Sequence, residues 1–371
     1  MEPPSSAAGE AGAPNWRAPG ALPADPRTEP AVAEALSVIS RSLDEMASSE
    51  TRPILDVPER RHRLRQFGDA DFAVFPVILG GSTFGWTASA DATMQILDSF
   101  VERGGNAIDT ADSYATGRSE TLIGSWLRER RNRDSVVLST KVAKGADFPG
   151  LSAQHIVRAT EASLSRLGVD AIDLLYFHVD DPEVPLEESL TAADVLLRSG
   201  KVRNLASSNY TAERLIEARV TAGQLQLPRF TGIQAHYNLV HRQEFETGLF
   251  AVAKAQGLAV VPYFALANGF LSGKYRSRGR ERGAETHSRA ARVEQYLTKR
   301  GFRVLAALED VAEQQGVALS TIAIAWLLTK PGVTAPVVSA SRPDQIPDIV
   351  AAAGVHLTRS QVALLDRVSA Y

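Results

Sequence analysis

The chain has 371 residues, 44% hydrophobic and 22% charged, with 40 Lys and Arg against 43 Asp and Glu for a net charge of −3. These are values of a globular protein with a sizeable core, which excludes a fibrous or wholly disordered chain. The balanced charge gives no global field for nucleic acid or an anionic membrane, so any anion site is local. With no cysteine, disulfides, thiolate catalysis, zinc fingers and iron–sulfur clusters are excluded, and a reducing cytosol is compatible.

MEPPSSAAGEAGAP at the start lacks the basic region and apolar run of a signal peptide. No stretch of about 18 apolar residues occurs, the length a membrane helix needs. The expectation is a soluble cytoplasmic protein without membrane or nucleic-acid partner, monomeric or weakly homo-oligomeric. Residues 1–30 hold 7 of the 19 prolines among Ala, Gly, Ser and Glu, which predicts a disordered extension. Val32, Leu36, Ile39, Leu43 and Met46 then fall at spacings of 4, 3, 4 and 3. That stripe predicts one accessory helix over about 29–48 with Thr28 as cap, covered either by the main domain or by a second copy. Pro53, Pro58 and the basic cluster Arg60 to Arg65 separate this 1–60 segment from a domain over 62–371.

After Phe72, short apolar runs alternate with amphipathic segments. The runs are VFPVIL ending at Leu79, NAID at Asp109, VVLSTK at Lys141, IDLLYFH at His178, VRNLASS at Ser208, TGIQAHY at Tyr237, LAVVPY at Tyr263 and TAPVVSA at Ala340. Helical patterns separate them over 90–102, 119–130, 153–167, 186–199, 212–221, 244–256, and 302–315 with 320–328. Eight strand–helix units, apolar on both strand faces, predict an α/β protein built as an (α/β)8 TIM barrel. An open doubly wound sheet is the rival. Against it, no GxGxxG opens a helix, and the units fill roughly 290 residues, which is barrel size.

In such a barrel the chemistry belongs at the carboxyl ends of the strands. Those ends carry Gly80-Gly81-Ser82, Asp109, Lys141, His178, Ser208-Asn209, Gln234 and Tyr263, and the eighth run leads to Ser339-Ala340-Ser341-Arg342. Taken singly, each has a plain reading: His178 a satisfied buried histidine, Lys141 and Asp109 a structural ion pair, Tyr114 a loop tyrosine. Together Asp109, Tyr114, Lys141 and His178 converge on one mouth, where burying charge is costly unless it pairs or works. The quartet suits proton-coupled reduction of a carbonyl. An ammonium beside a phenol stabilises the phenolate and brings its pKa toward the working range, and a neutral imidazole orients the carbonyl oxygen. No side chain supplies a hydride, so a nicotinamide is required.

With their surroundings these residues make the chain resemble the aldo-keto reductase superfamily. The motifs are VILGGSTFGW from Val77, NAIDTADSYATGRSE from Asn106, STK from Ser139, IDLLYFHVDDP from Ile172, GKVRNLASSNY from Gly200, QAHYNLV from Gln234 and ALANGFLSGKYR from Ala265. The resemblance covers about 62 to 370 and implies a barrel without a Rossmann fold that uses NADPH in an extended pose. It implies Asp109, Tyr114, Lys141 and His178 as the catalytic tetrad. Ser208, Asn209 and Gln234 would hold the carboxamide, and Tyr263 would stack on the nicotinamide. Three departures bear on the cofactor: Phe264-Ala265-Leu266 where the family has Ser-Pro-Leu, Ala206 where it has glycine, and Asp348-Ile349 after Pro347 where it has Asn beside an acidic residue.

Phosphate contacts are expected after strand seven, from Leu266, Gly269, Leu271, Lys274 and Arg276. They are also expected from Ser341 and Arg342 before the helix after strand eight, where barrels commonly bind phosphate, and Ser339, Gln345 and Asp348 are expected as further cofactor contacts. Arg342 matches a 2'-phosphate bidentately. The basic segment from Arg276 to Arg303 reads as a lid or an exposed loop. Trp86, Val179 and Asp180 are expected to line the substrate pocket, and no metal site is expected, because His236 and His241 are five apart. The function expected is NADPH-dependent reduction of an aldehyde, ketone or sugar. The alternatives are reduction of a nucleotide-linked deoxysugar and a regulatory role like that of potassium-channel subunits.

Overall fold

The computed structural model describes residues 63–275 and 293–371. The extension, the accessory helix expected over 29–48, Arg276 and much of the basic segment that follows it lie outside the described residues.

Eight parallel strands follow one another around a sheet. They are β3 (Ile78–Gly80), β4 (Ala107–Asp109), β5 (Val137–Val142), β6 (Ile172–Phe177), β7 (Val202–Ser208), β8 (Gly232–His236), β9 (Ala259–Tyr263) and β10 (Val337–Val338), with β10 paired to β3. The ring closes through the chain just before β10, where Val260 bridges Val333 and Thr334 donates its amide to the Val260 carbonyl at 2.8 Å. This is the (α/β)8 barrel. The last strand is shorter than the apolar run TAPVVSA because Pro336 has no N–H to give the ladder. It accepts from Ile78 at 2.9 Å, and regular pairing begins only at Val337.

The outer layer comprises α1 (Ala90–Glu102), α2 (Arg118–Arg130), α3 (Ala153–Leu167), α4 (Leu186–Arg198), α5 (Ala212–Leu225), α6 (Phe250–Ala255), α7 (Lys299–Gln315) and α8 (Leu319–Leu328), then α9 (Ile346–Ala351) and α10 (Arg359–Val368). Side-chain caps explain where several begin: Ser89 accepts from Ala92 N–H, Ser152 from His155, Thr211 from Arg214 and Thr298 from Gly301. Each satisfies an amide that the first helical turn leaves orphaned. The segment expected as one helix over 244–256 is a π-helical turn at Phe245–Leu249 running into α6. No single helix among the described residues is long and apolar enough to cross a membrane.

Two cores result. One lies between strands and helices; the other fills the barrel and contains Ile78, Leu174, Tyr176, Ala206, Val261 and Val337. Ahead of the barrel, a hairpin of β1 (Arg65–Gln66) and β2 (Ala73–Val74) carries Phe67, wholly buried in that inner core. A Cβ on Gly232 would come within 2.7 Å of the Phe67 ring, so glycine at the start of β8 makes room for this plug. The other end of the barrel is left for chemistry.

Candidate active site

Strand register builds the site. Asp109 lies opposite Ser139 on β5, and Lys141, two residues further along, shares that face with it. Ser139 Oγ donates to Asp109 Oδ1 at 2.8 Å. Lys141 Nζ, with no exposed surface, binds the other Asp109 oxygen, the Thr110 carbonyl at 2.8 Å and the Tyr114 hydroxyl at 3.4 Å. Its three donors are therefore committed.

Tyr114 reaches this point from the loop after β4. Ala115, Thr116 and Gly117 all take positive φ (50°, 56° and 82°), turning the chain back so that Tyr114 O accepts from Gly117 at 3.1 Å. At Gly117 a Cβ would meet Arg166 Cδ at 2.7 Å. Arg166 donates to the buried Glu120, whose other oxygen accepts from Thr140 Oγ1, each at 2.6 Å. A buried, fully bonded carboxylate thus ties α2 and α3 to the strand that carries Lys141.

His178 follows β6 and sets its ring edge-to-face with Tyr114, centroids 6.0 Å apart. Burial, then repulsion from Lys141 and Lys144, hold its pKa down to about 2, so the imidazole is neutral. Its Nδ1 is buried without a hydrogen-bond partner. Burial pulls Lys141 down, but Asp109 and Tyr114 outweigh it and leave the ammonium above its ordinary value. Tyr114 behaves differently from the expectation of a lowered phenol. Burial raises it more than Lys141 lowers it, and Asp109 raises it further, so the hydroxyl holds its proton.

The four residues sit at or beneath a cleft of about 1000 Å³ at the carboxyl ends of the strands. Of the remaining expected positions, Gly80, Ser82, Trp86, Ser208, Asn209, Gln234, Tyr263, Leu266, Gly269, Lys274, Ser339, Ser341, Arg342, Gln345 and Asp348 line it. Others are not brought there. Leu271 is wholly buried in the outer core. Gly81 packs against α2, where a Cβ would meet Ser119 Oγ at 2.7 Å. Val179 packs on the core, and Asp180 is held by Arg214 at 2.9 Å. The rings of His236 and His241 stack 3.6 Å apart, with Tyr263 stacked on His236 at 5.2 Å.

Whether these residues fit a nicotinamide can be judged from their uncommitted atoms. Gln234 is almost wholly buried and lines the cleft, and its Nε2 makes no hydrogen bond of good geometry, having only the Tyr176 hydroxyl near it. A buried amide donor left open is costly unless a ligand takes it. Asn209, expected beside it as a carboxamide contact, is already engaged. Its Nδ2 donates to His178 O at 2.8 Å and Ser208 Oγ at 3.0 Å, and its Oδ1 accepts from Tyr263 OH at 2.7 Å. It braces the Tyr263 ring instead, from a φ of 58° that asparagine tolerates. The phosphate end is also self-satisfied. Gln345 Oε1 accepts the Ser341 and Arg342 amides at 2.9 and 3.2 Å, and Asp344 pairs with the Arg342 guanidinium at 3.1 Å. The residues fit a nicotinamide at one end of the cleft, and an anion at the other must displace internal partners. Sequence reasoning missed Ser113, Lys144 and Asp344, which also line the cleft; only Lys144, three residues past Lys141, carried a visible signal.

Residues 76–370 match the family model described as "Aldo/keto reductase family". The chain belongs to the aldo/keto reductase family. Its members are oxidoreductases that act on carbonyl compounds and generally use a nicotinamide cofactor. Among curated relatives, the chain is 32% identical over 284 residues to an Arabidopsis thaliana protein named "Probable voltage-gated potassium channel subunit beta", covering 74% of this chain and 85% of that one. It is 32% identical over 311 residues to a norsolorinic acid reductase of Emericella nidulans, covering 79% and 78%. A Saccharomyces cerevisiae protein named as an aryl-alcohol dehydrogenase is 28% identical over 338 residues, covering 85% and 89%.

Proposed function

We propose that this aldo/keto reductase reduces an aldehyde, ketone or sugar carbonyl to the alcohol, with NADPH as cofactor and Tyr114 as general acid. The observation that carries this reading is the buried Lys141 ammonium, bonded at once to the Asp109 carboxylate and the Tyr114 phenol under an open cleft.

When bound, the nicotinamide supplies the hydride. As negative charge develops on the carbonyl oxygen, Tyr114 gives up its proton to it, and the phenolate left behind rests against Lys141 Nζ. Because burial favours the protonated phenol, the proton is present at every physiological pH. The lysine acts on the phenolate that forms rather than on the resting state. Asp109 holds Lys141 in place and balances its charge. His178 stays neutral and turns a ring nitrogen to the carbonyl oxygen without competing as an acid. Gln234 Nε2 and the Ser208 hydroxyl would hold the carboxamide, and Asn209 braces the Tyr263 ring, on which the nicotinamide would stack.

The preference for NADPH over NADH rests on Arg342 and Lys274, both on the cleft. The Arg342–Asp344 pair is two-thirds exposed on both sides, and such pairs are worth about 0–1 kcal/mol. A bidentate 2'-phosphate contact outcompetes it. A cytoplasmic location, with which the cysteine-free sequence is compatible, belongs to the same reading. The test is oxidation of NADPH by aldehydes, ketones and sugars, followed by nicotinamide absorbance in the wild type and in Tyr114→Phe. Turnover that survives in the variant refutes the mechanism.

A further inference from the structure

Lys144 lines the same cleft as Tyr114 and His178, on the turn that leaves β5. The turn is held in place. Ala143 takes φ 102°, outside the ordinary range for alanine, bridges Pro149 and accepts the Gly150 amide at 2.9 Å. A strained residue fixed from both sides does not swing its neighbour freely.

Lys144 has no carboxylate and no hydrogen-bond acceptor among the described residues. Asp112, a buried acid on the loop after β4, accepts the Gly145 amide with its Oδ2 at 3.2 Å. The other charges at this end are accounted for: Lys141 is balanced by Asp109, and His178 is neutral. Burial and repulsion from Lys141 lower the Lys144 ammonium, and Lys144 in turn depresses His178, so it is electrostatically within the site. Lys144 is exposed to solvent at the cleft, so its ammonium can be reached by a bound molecule and is not spent on an internal ion pair. An anionic group on a bound molecule would meet this cation in the cleft that Tyr114 and His178 also line. Arg342 and Lys274, proposed above for the 2'-phosphate, lie on other strand-end loops, after β10 and β9.

We propose that Lys144 binds an oxyanion carried by the substrate itself, so that this enzyme acts on carbonyl compounds bearing a carboxylate or phosphate within reach of the reacting carbon. The assignment rests on the carbonyl-reductase reading above and adds the substrate's charge.

The experiment compares para-carboxybenzaldehyde with its methyl ester on the NADPH-loaded full chain, in wild type, Lys144→Met and Lys144→Arg. Wild type should favour the acid. Lys144→Met should lower the acid-to-ester ratio of kcat/KM by about ten- to hundred-fold, the range for loss of one charge-assisted hydrogen bond. Lys144→Arg should restore most of it. Binding is read in parallel, with benzoate, phenyl phosphate and methyl benzoate titrated against tryptophan fluorescence, because Trp86 lines the cleft. Benzoate or phenyl phosphate should bind more tightly than methyl benzoate in a Lys144-dependent way, and the tighter of the two identifies the oxyanion. Equal handling of acid and ester, with anion binding that ignores Lys144→Met, overturns the assignment while leaving the reductase reading intact. Failure to reduce any aldehyde, with Lys144-dependent benzoate binding retained, overturns the reductase reading and keeps the anion site.

Discussion

Replacing Lys141 with methionine separates its structural from its chemical role. Methionine preserves much of the side-chain volume, so the loss is chiefly of charge and hydrogen bonds. Asp109, 2% exposed, keeps only the bond from Ser139 to Oδ1; its Oδ2 and the Thr110 carbonyl are stranded. Breaking one side of a buried ion pair costs about 3–5 kcal/mol. Replacing Asp109 with Asn in the same chain removes the unpaired charge yet leaves an oxygen for Ser139. The Lys141→Met/Asp109→Asn double variant should therefore recover at least about 2 kcal/mol relative to additivity. Urea unfolding of wild type, both single variants and the double variant closes the cycle. A Lys141→Met cost below about 1 kcal/mol, or strict additivity in the cycle, would refute the argument that this pair is a buried, mutually dependent unit. Turnover is expected to stay low in the double variant even though stability returns, because the phenolate has lost its cation.

Tyr114→Phe should cost less than about 1 kcal/mol of stability, since its hydroxyl has one long bond at 3.4 Å to Lys141. Turnover should fall by about 100-fold or more, with cofactor affinity retained. Burial, with Glu120 behind it, raises Asp112 from 3.8 to about 6. The folded state therefore binds the proton more tightly than the unfolded chain, and this group costs stability as pH rises through that window, fully so above it. Asp112→Asn should accordingly stabilise the protein by up to about 3 kcal/mol near neutral pH and by nothing below about pH 4; an equal gain at both pH values in thermal melts would contradict this. Arg342→Ala should weaken NADPH by about 1.5–3 kcal/mol and spare NADH. Asp344→Asn should tighten NADPH slightly by freeing the guanidinium, and fluorescence titrations showing equal changes for both cofactors would remove Arg342 from 2'-phosphate recognition.

The sequence alone carried the repeat and the positions of the strand-end residues, because both are local. Alternation of apolar runs with helical stripes is read within a window of residues. The helices at 90–102 and 153–167 are found at those limits because Ser89 and Ser152 cap their first turns. Asp109, Lys141, Ser208 and Tyr263 were visible because each is a polar residue closing an apolar run. The hairpin was not, since strands of two residues leave no period, and Phe67 becomes a plug only once the barrel exists. Nor could spacing reveal that Asp180 is held by Arg214, that Asn209 braces Tyr263, or that Gln345 and Asp344 occupy the groups expected to grip phosphate. Those partners are chosen by closure of the ring. Closure decides which strand ends face one another, and therefore which of the polar groups legible in the sequence are spent on each other and which, like Gln234 Nε2, are left open for a ligand.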